Sequence, residues 1–187
     1  IIKKLRENER VETIYALPGN GGIAQDAVCT GIAATDLDGT VAFARENPVD
    51  FAVVAPDDPL VLGLADRLRG LGIPCFGPSA KAAAIEGSKV FAKDLMRKYG
   101  IPTARYQAFT SSAEALAYLQ NCPYPAVIKA DGLALGKGVL ICEDAAAARA
   151  AIASIMEEKI FGASGNRVVI EEFLTGPEVS VLAFTDG

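Results

Sequence analysis

The feature that most constrains this chain is the run from Tyr124 to Gly138, Tyr-Pro-Ala-Val-Ile-Lys-Ala-Asp-Gly-Leu-Ala-Leu-Gly-Lys-Gly. Ala126, Val127 and Ile128 are an apolar β-forming run, and Gly138-Val139-Leu140-Ile141-Cys142 is a second. The segment therefore reads as strand, glycine-punctuated loop, strand. Gly132, Gly136 and Gly138 leave backbone N–H groups unshielded and able to take positive φ, so the main chain can wrap an anion. Lys129 and Lys137 bring positive charge to it, and a triphosphate suits such a loop. The plain alternative is an ordinary hairpin. A P-loop does not fit: Gly132 to Gly136 encloses three residues instead of four, Gly138 stands where Ser or Thr should hold magnesium, and a strand follows in place of a helix.

Ahead of that loop, residues 1–80 alternate between the two periodicities. The reading is helix end (Ile1 to Asn8), strand (Thr13 to Leu17), helix (Gly39 to Glu46), strand (Phe51 to Ala55), helix (Leu60 to Leu71) and strand (Cys75, Phe76). Such alternation predicts a parallel α/β sheet, with ligands outside the carboxyl ends of its strands. That singles out Pro18-Gly19-Asn20-Gly21-Gly22 and Pro56-Asp57-Asp58. Gly19 to Ala24 also fits the dinucleotide fingerprint, with Asp36 and Asp38 as ribose carboxylates. Against it, Pro18 alters the turn, and Gln25 to Ile32 lacks the helical period needed to hold a pyrophosphate.

Ser79 to Tyr99 reads as helix broken at Gly87-Ser88, with Ser88 as N-cap and Phe91, Leu95 and Tyr99 as its apolar stripe. Lys89 falls in the first turn, where a cation opposes the helix dipole unless an anion holds it there. Ser111 and Glu114 form a capping box for a helix from Ala113 to Gln120, and Asn121 to Pro125 is a rigid connector at which a domain boundary is expected. Ala145 to Ile160 carries Ile152, Ile155, Met156 and Ile160 as one core stripe. Strands are expected at Arg167 to Phe173 and Glu178 to Thr185, giving a small βαβ-type layer around the loop.

Composition narrows the partners. A net charge of −5 without a basic run excludes a nucleic-acid or anionic-membrane surface, and no apolar run is long enough to span a bilayer. Four cysteines without Cys-x-x-Cys spacing, and no His, predict reduced thiols in a cytoplasmic protein, with neither disulfide nor zinc. A start without Met, inside a helix, and an end just past a strand suggest a piece of a longer protein.

Taken in order, Pro18-Gly19-Asn20, Phe76-Gly77-Pro78, Glu86-Gly87-Ser88-Lys89, Phe91-Ala92-Lys93, Gly100-Ile101-Pro102-Thr103-Ala104, Lys129-Ala130-Asp131-Gly132-Leu133-Ala134 with Gly136-Lys137-Gly138-Val139, and Val169-Ile170-Glu171-Glu172-Phe173-Leu174 resemble the phosphoribosylamine–glycine ligase (glycinamide ribonucleotide synthetase) family of the ATP-grasp superfamily. The resemblance implies an α/β fold. A Rossmann-like substrate domain at 1–80, its first strand missing, would precede the start of an ATP-grasp domain at 81–122, its small α+β lid at 123–176, and a return strand at 177–187.

The implied reaction joins glycine to 5-phosphoribosylamine at the expense of ATP, through glycyl phosphate, in purine synthesis. Implied ATP contacts are Lys89 and Lys129 on phosphates, Gly132, Gly136, Lys137 and Gly138 as lid, the backbone of Glu171, Glu172, Phe173 and Leu174 as adenine clamp, and Glu178 on the ribose. Gly19, Asn20, Pro56 and Asp57 are the implied substrate contacts, although the family's Gly-Pro-Glu is Ala55-Pro56-Asp57 here. Mg2+ ligands are expected beyond Gly187, leaving the chain catalytically incomplete, and a monomer is expected. Another ATP-grasp carboxylate–amine ligase and an ATP-binding module without a reaction are the alternatives.

Overall fold

The computed structural model describes residues 1–134 and 137–183. The chain divides into two compact units, Ile1–Gly87 and Ser88–Gly187. No helix among the described residues is long and apolar enough to cross a membrane.

The first unit contains α1 (Ile2–Arg6), β1 (Tyr15–Ala16), β2 (Val28–Cys29), α2 (Leu37–Glu46), β3 (Ala52–Val53), α3 (Asp57–Val61), α4 (Leu64–Gly70), β4 (Cys75–Phe76) and α5 (Ala80–Gly87). It extends to Gly87 instead of residue 80 because α5 packs on α3. The strands pair in parallel, β1 with β2 and β3 with β4, as the alternation of elements dictates. They form two separate pairs instead of one sheet, and a cavity of about 1250 Å³ is lined by Tyr15 and Ala16 of β1 and Ala52 and Val53 of β3. Strand β2 has no counterpart in the sequence reading, since two residues are too few to show a period. The helix expected over Leu60 to Leu71 is broken at Gly63, whose φ of 89° is left-handed and interrupts the helical ladder. Val54, Leu64, Ala65, Leu68 and Ile73 form the core of this unit.

In the second unit α6 (Lys89–Tyr99) starts at Ser88, whose hydroxyl accepts from Phe91 N at 3.1 Å. Then come β5 (Tyr106–Phe109), α7 (Ser112–Leu119), β6 (Ala126–Ala130), β7 (Val139–Cys142), α8 (Ala145–Ile152) and β8 (Val168–Glu172). Ser111 caps α7 by accepting from Glu114 N, as its spacing predicts. The four strands make one antiparallel sheet in the order β5-β8-β6-β7. The layer is βαβ-type in its split form: β7 and β8, joined through α8, run parallel with β6 between them, and β5 and β6, joined through α7, run parallel with β8 between them. One expectation changes with that topology: the connector near residue 122 does not divide units, because β5, before it, shares the sheet with β6, after it.

Period-two alternation gives this sheet two different faces. Ile128, Ala130, Val168 and Ile170 pack on Ala115 and Leu119 of α7 and on Ala148, Ala151 and Ile152 of α8. Ile155 and Met156 join them from a π-helical turn, Ala153–Glu157, that continues α8. The helix ends at Glu157 and Lys159 takes φ 51°, so Ile160 lies beyond the stripe, in a turn, and is exposed. The other face carries Val127, Lys129, Val169, Glu171 and Tyr106. Of the expected strand at Glu178 to Thr185, residues 178–183 form neither helix nor paired strand, while Phe184 and Thr185 lie outside the described residues. A strand exists only where a neighbour takes its backbone groups.

One consequence for stability concerns α8. Asp144 caps it by accepting from Ala146 N at 2.9 Å and Ala147 N at 2.8 Å. Asp144→Ala is expected to cost about 1 kcal/mol. Urea unfolding should show a lower midpoint at unchanged slope.

Candidate functional site

Strand β6 carries Lys129 to the polar face of the sheet and then releases the chain into the glycine loop. In the register of β6 and β8, Val127 pairs with Glu171 and Lys129 with Val169, so Lys129 and Glu171 are diagonal neighbours on one face. Lys129 Nζ lies 2.8 Å from Glu171 Oε2. From α6, Lys93 also reaches into this face. Its Nζ donates to Thr103 Oγ1 at 2.7 Å and Ala104 O at 3.4 Å, and stands 3.2 Å from Glu171 Oε1. Lys93 is 8% and Glu171 5% exposed. Oε1 accepts no aligned hydrogen bond, so the Lys93 ammonium faces it as a charge. The apolar stripe expected on α6 is thus met only in part: Leu95 is half-buried but Phe91 and Tyr99 are exposed, while Val90 and Lys93 are buried. A helix over a carboxylate must offer it a cation.

Asp131, at the start of the loop, joins three segments. Its carboxylate accepts from Ser88 Oγ at 3.0 Å, Val90 N at 3.2 Å and Arg167 Nε at 2.8 Å, and Arg167 Nη2 lies 2.6 Å away. Next to it, Lys89 Nζ donates to Gly132 O at 2.5 Å. The start of α6 and the base of the loop are therefore one charged assembly. Gly132 has φ 128°, a conformation that excludes other residues, and a Cβ there would press on Ser164 Cβ at 3.0 Å. A Cβ at Gly138 would meet Ala134 Cβ at 2.7 Å. Backbone packing, as well as anion access, thus accounts for these two glycines. Lys137 is exposed, its N–H donating to Ala134 O at 2.9 Å, and Gly136 lies outside the described residues.

At the other end of β8, Glu171 and Glu172 are strand residues. Glu172 N donates to Arg105 O at 3.0 Å, so its N–H serves the sheet. Strand pairing ends there, leaving Phe173 and Leu174 exposed beyond it. Glu178 is exposed and joins no other described residue by hydrogen bond or ion pair. The Glu172 carboxylate accepts from Arg105 N at 2.9 Å and Arg105 Nε at 2.6 Å. These bonds, the backbone one first, hold its pKa below the usual 4.5. The stabilisation is fully present above that usual value and is lost as pH falls through the lowered one. A carboxyl NMR titration should place the Glu172 midpoint below those of the exposed glutamates. In Arg105→Met it should rise only part of the way, because the backbone donor remains; a parent midpoint at 4.5 or above refutes the pairing.

In the first unit, Asn20 Oδ1 is engaged by its own loop, accepting from Gly22 N and Ile23 N at 3.0 Å each. Gly19, with φ 78°, packs where a Cβ would strike Cys29. Only a three-residue 3-10 helix follows, Ile23–Gln25, which lacks the helix a dinucleotide site needs. Pro56 is the N-cap residue of α3 and Asp57 is exposed in its first turn, suited to the helix dipole. Asn20 and Pro56 line the same cavity.

The sequence reading assigned no role to Lys93, Arg167 or the Asp131 carboxylate. For Lys93 a signal existed, because it follows Lys89 by four residues and so shares its helix face.

The model of the phosphoribosylglycinamide synthetase N domain matches residues 1–86, and that of the ATP-grasp (A) domain of the same family matches 87–187. Phosphoribosylamine–glycine ligase of Caldanaerobacter subterraneus subsp. tengcongensis is 48% identical over 187 residues, all of this chain and 45% of that protein. The chain thus spans about half the length of the curated relatives it matches. Among solved structures, phosphoribosylamine–glycine ligase from Thermotoga maritima aligns with 90% of this chain and 40% of its own, at TM-score 0.73 and 30% identity. The biotin carboxylase domain of Hydrogenobacter thermophilus 2-oxoglutarate carboxylase, in complex with MgADP, ADP and bicarbonate, covers 92% of this chain and 41% of its own, at TM-score 0.73 and 18% identity, a likeness of fold alone.

Proposed function

The chain belongs to the phosphoribosylglycinamide synthetase family, and from that premise we propose that it is the ATP-binding and N-terminal part of an enzyme that ligates glycine to 5-phosphoribosylamine. The products are glycinamide ribonucleotide, ADP and phosphate. The observation that carries the reading is that Lys89 Nζ bonds Gly132 O in the loop while Lys129, two residues before that loop in β6, holds its partly exposed Nζ on Glu171.

In this reading Lys129 and Lys89 hold ATP phosphates as compact point charges, at the cost of exchanging Glu171 and Gly132 O for phosphate oxygens. The glycine loop covers the phosphates. Phe173 and Leu174, beyond the last ladder pair, offer backbone groups to the adenine edge, and Glu178 accepts from ribose hydroxyls. Glycine's carboxylate attacks the γ-phosphorus, ADP leaves, and the amine of phosphoribosylamine displaces phosphate from glycyl phosphate. Gly19, Asn20, Pro56 and Asp57 are proposed on the phosphoribosylamine side.

Magnesium, when bound in such a reaction, neutralises phosphate charge. The described residues do not fit it. Asp131, Glu171 and Glu172 are already paired with Arg167, two lysines and Arg105, and no group of three or more His, Cys, Asp or Glu gathers as metal ligands among the described residues. No step here is routed through the ion. The cytoplasm, where thiols stay reduced, suits the free Cys29, Cys75, Cys122 and Cys142; burial pushes the last three thiols up.

The test is product formation by the intact protein that carries this chain. With ATP, glycine and phosphoribosylamine together, one phosphate should be released per glycinamide ribonucleotide formed, and omission of either acceptor should abolish both. ATP binding with neither phosphate release nor amide formation under any condition would point to the ATP-binding module instead.

A further inference from the structure

We propose that Lys93 is a positioning residue that sets the net charge of the phosphate subsite, acting through Glu171 on Lys129. This rests on the reading of Lys129 as a phosphate ligand. Three charges share the polar face of the sheet: Lys93 and Lys129, two cations, on either side of Glu171, one anion. The nearby Asp94–Arg97 and Arg105–Glu172 pairs each sum to zero. Only Lys129 of the three is open to a ligand, its side chain 26% exposed.

Without Lys93, Glu171 and Lys129 would neutralise each other, and an incoming phosphate would compete with a buried carboxylate for the one cation left in the trio. With Lys93 anchored by Thr103 Oγ1 and Ala104 O and facing Glu171 Oε1, the carboxylate is already compensated from behind. The trio carries one surplus positive charge, expressed at Lys129. A carboxylate so placed also keeps Lys129 extended along the sheet before nucleotide arrives. A buried ion pair is a poor source of stability compared with apolar packing. Its retention under α6 is explained by what it does to the third charge.

Charge arithmetic makes the proposal testable in the intact protein, with the β,γ-imido analogue of ATP as probe and adenosine as the phosphate-free control. Lys93→Met lowers the trio from +1 to 0 and should weaken the analogue about tenfold while adenosine binding stays within twofold. Glu171→Gln raises the trio to +2 and should not weaken the analogue. The double variant Lys93→Met/Glu171→Gln returns it to +1 and should restore the analogue to within about threefold of the parent, also if Lys93→Met alone does not fold. Equal losses for analogue and adenosine, no loss in Lys93→Met, or a double variant well below the parent overturns the proposal. Lys129→Ala separates the two levels: unchanged analogue binding there overturns the phosphate reading and this proposal together, whereas weakened binding there beside an unaffected Lys93→Met overturns this proposal alone.

Discussion

Lys129→Ala is expected to raise the KM for ATP roughly ten- to hundredfold in the intact protein, from loss of a charge-assisted contact of about 1.5–3 kcal/mol. Lys129 is positioned for that role by its register. It sits diagonal to Glu171, one residue before the end of β6, with Asp131 and Gly132 following directly. Removing it leaves Glu171 compensated by Lys93, so the sheet retains a counter-ion and the fold should persist. Kinetics measured well below the melting temperature therefore separate ligand loss from unfolding. A variant with parental ATP KM and kcat would remove Lys129 from the phosphate site and reduce the loop to an ordinary hairpin.

Asp131→Ala is expected to destabilise the protein by about 3 kcal/mol. Its side chain is only 8% exposed and satisfies Ser88, Val90 N and Arg167 together. Truncation leaves the start of α6 without one of its acceptors and leaves Arg167 without its carboxylate. Asp131→Asn should lose less, because a neutral oxygen still accepts from Val90 N and Ser88. Urea unfolding measures both, and a double-mutant cycle with Arg167→Leu isolates the ionic part. A loss under about 0.5 kcal/mol for Asp131→Ala would mean that these segments are held by packing alone.

These two residues mark what could be read from the chain alone. The place of Lys129, near the end of a strand that feeds the loop, was legible because Ala126, Val127 and Ile128 are a β-forming run. The N-caps Ser88 and Ser111 were legible because capping depends on residues three apart. Asp131 was visible in the motif but not its partners, since Ser88 and Arg167 lie 43 and 36 residues away. Sequence spacing does not encode such contacts. Lys93 was hidden for a different reason. Hydrophobic periodicity assigned the buried face of α6 to Phe91, Leu95 and Tyr99, whereas the structure buries a cation to match Glu171. The antiparallel order of the sheet was also not readable, because strand patterns state which face is buried but not which neighbour is chosen. For the same reason two isolated parallel pairs in the first unit looked like one sheet.

The sheet order β5-β8-β6-β7 has a consequence in time. Strand β8, the last of these four in sequence, is an inner strand, pairing Phe109 with Val168 on one side and Lys129 with Val169 on the other. The β6–β7 hairpin can zip early from local contacts, but β5 must wait for a partner some 60 residues downstream and pay the corresponding loop-closure entropy. Until β8 slots in, Ile128 and Ala130 have lost neither their water nor their rivals for pairing, and Lys129 has no Glu171. Chains stalled before Glu172 should therefore remain a loose hairpin beside a solitary strand. The charged face would be assembled last, when synthesis of the scaffold beneath it is already over.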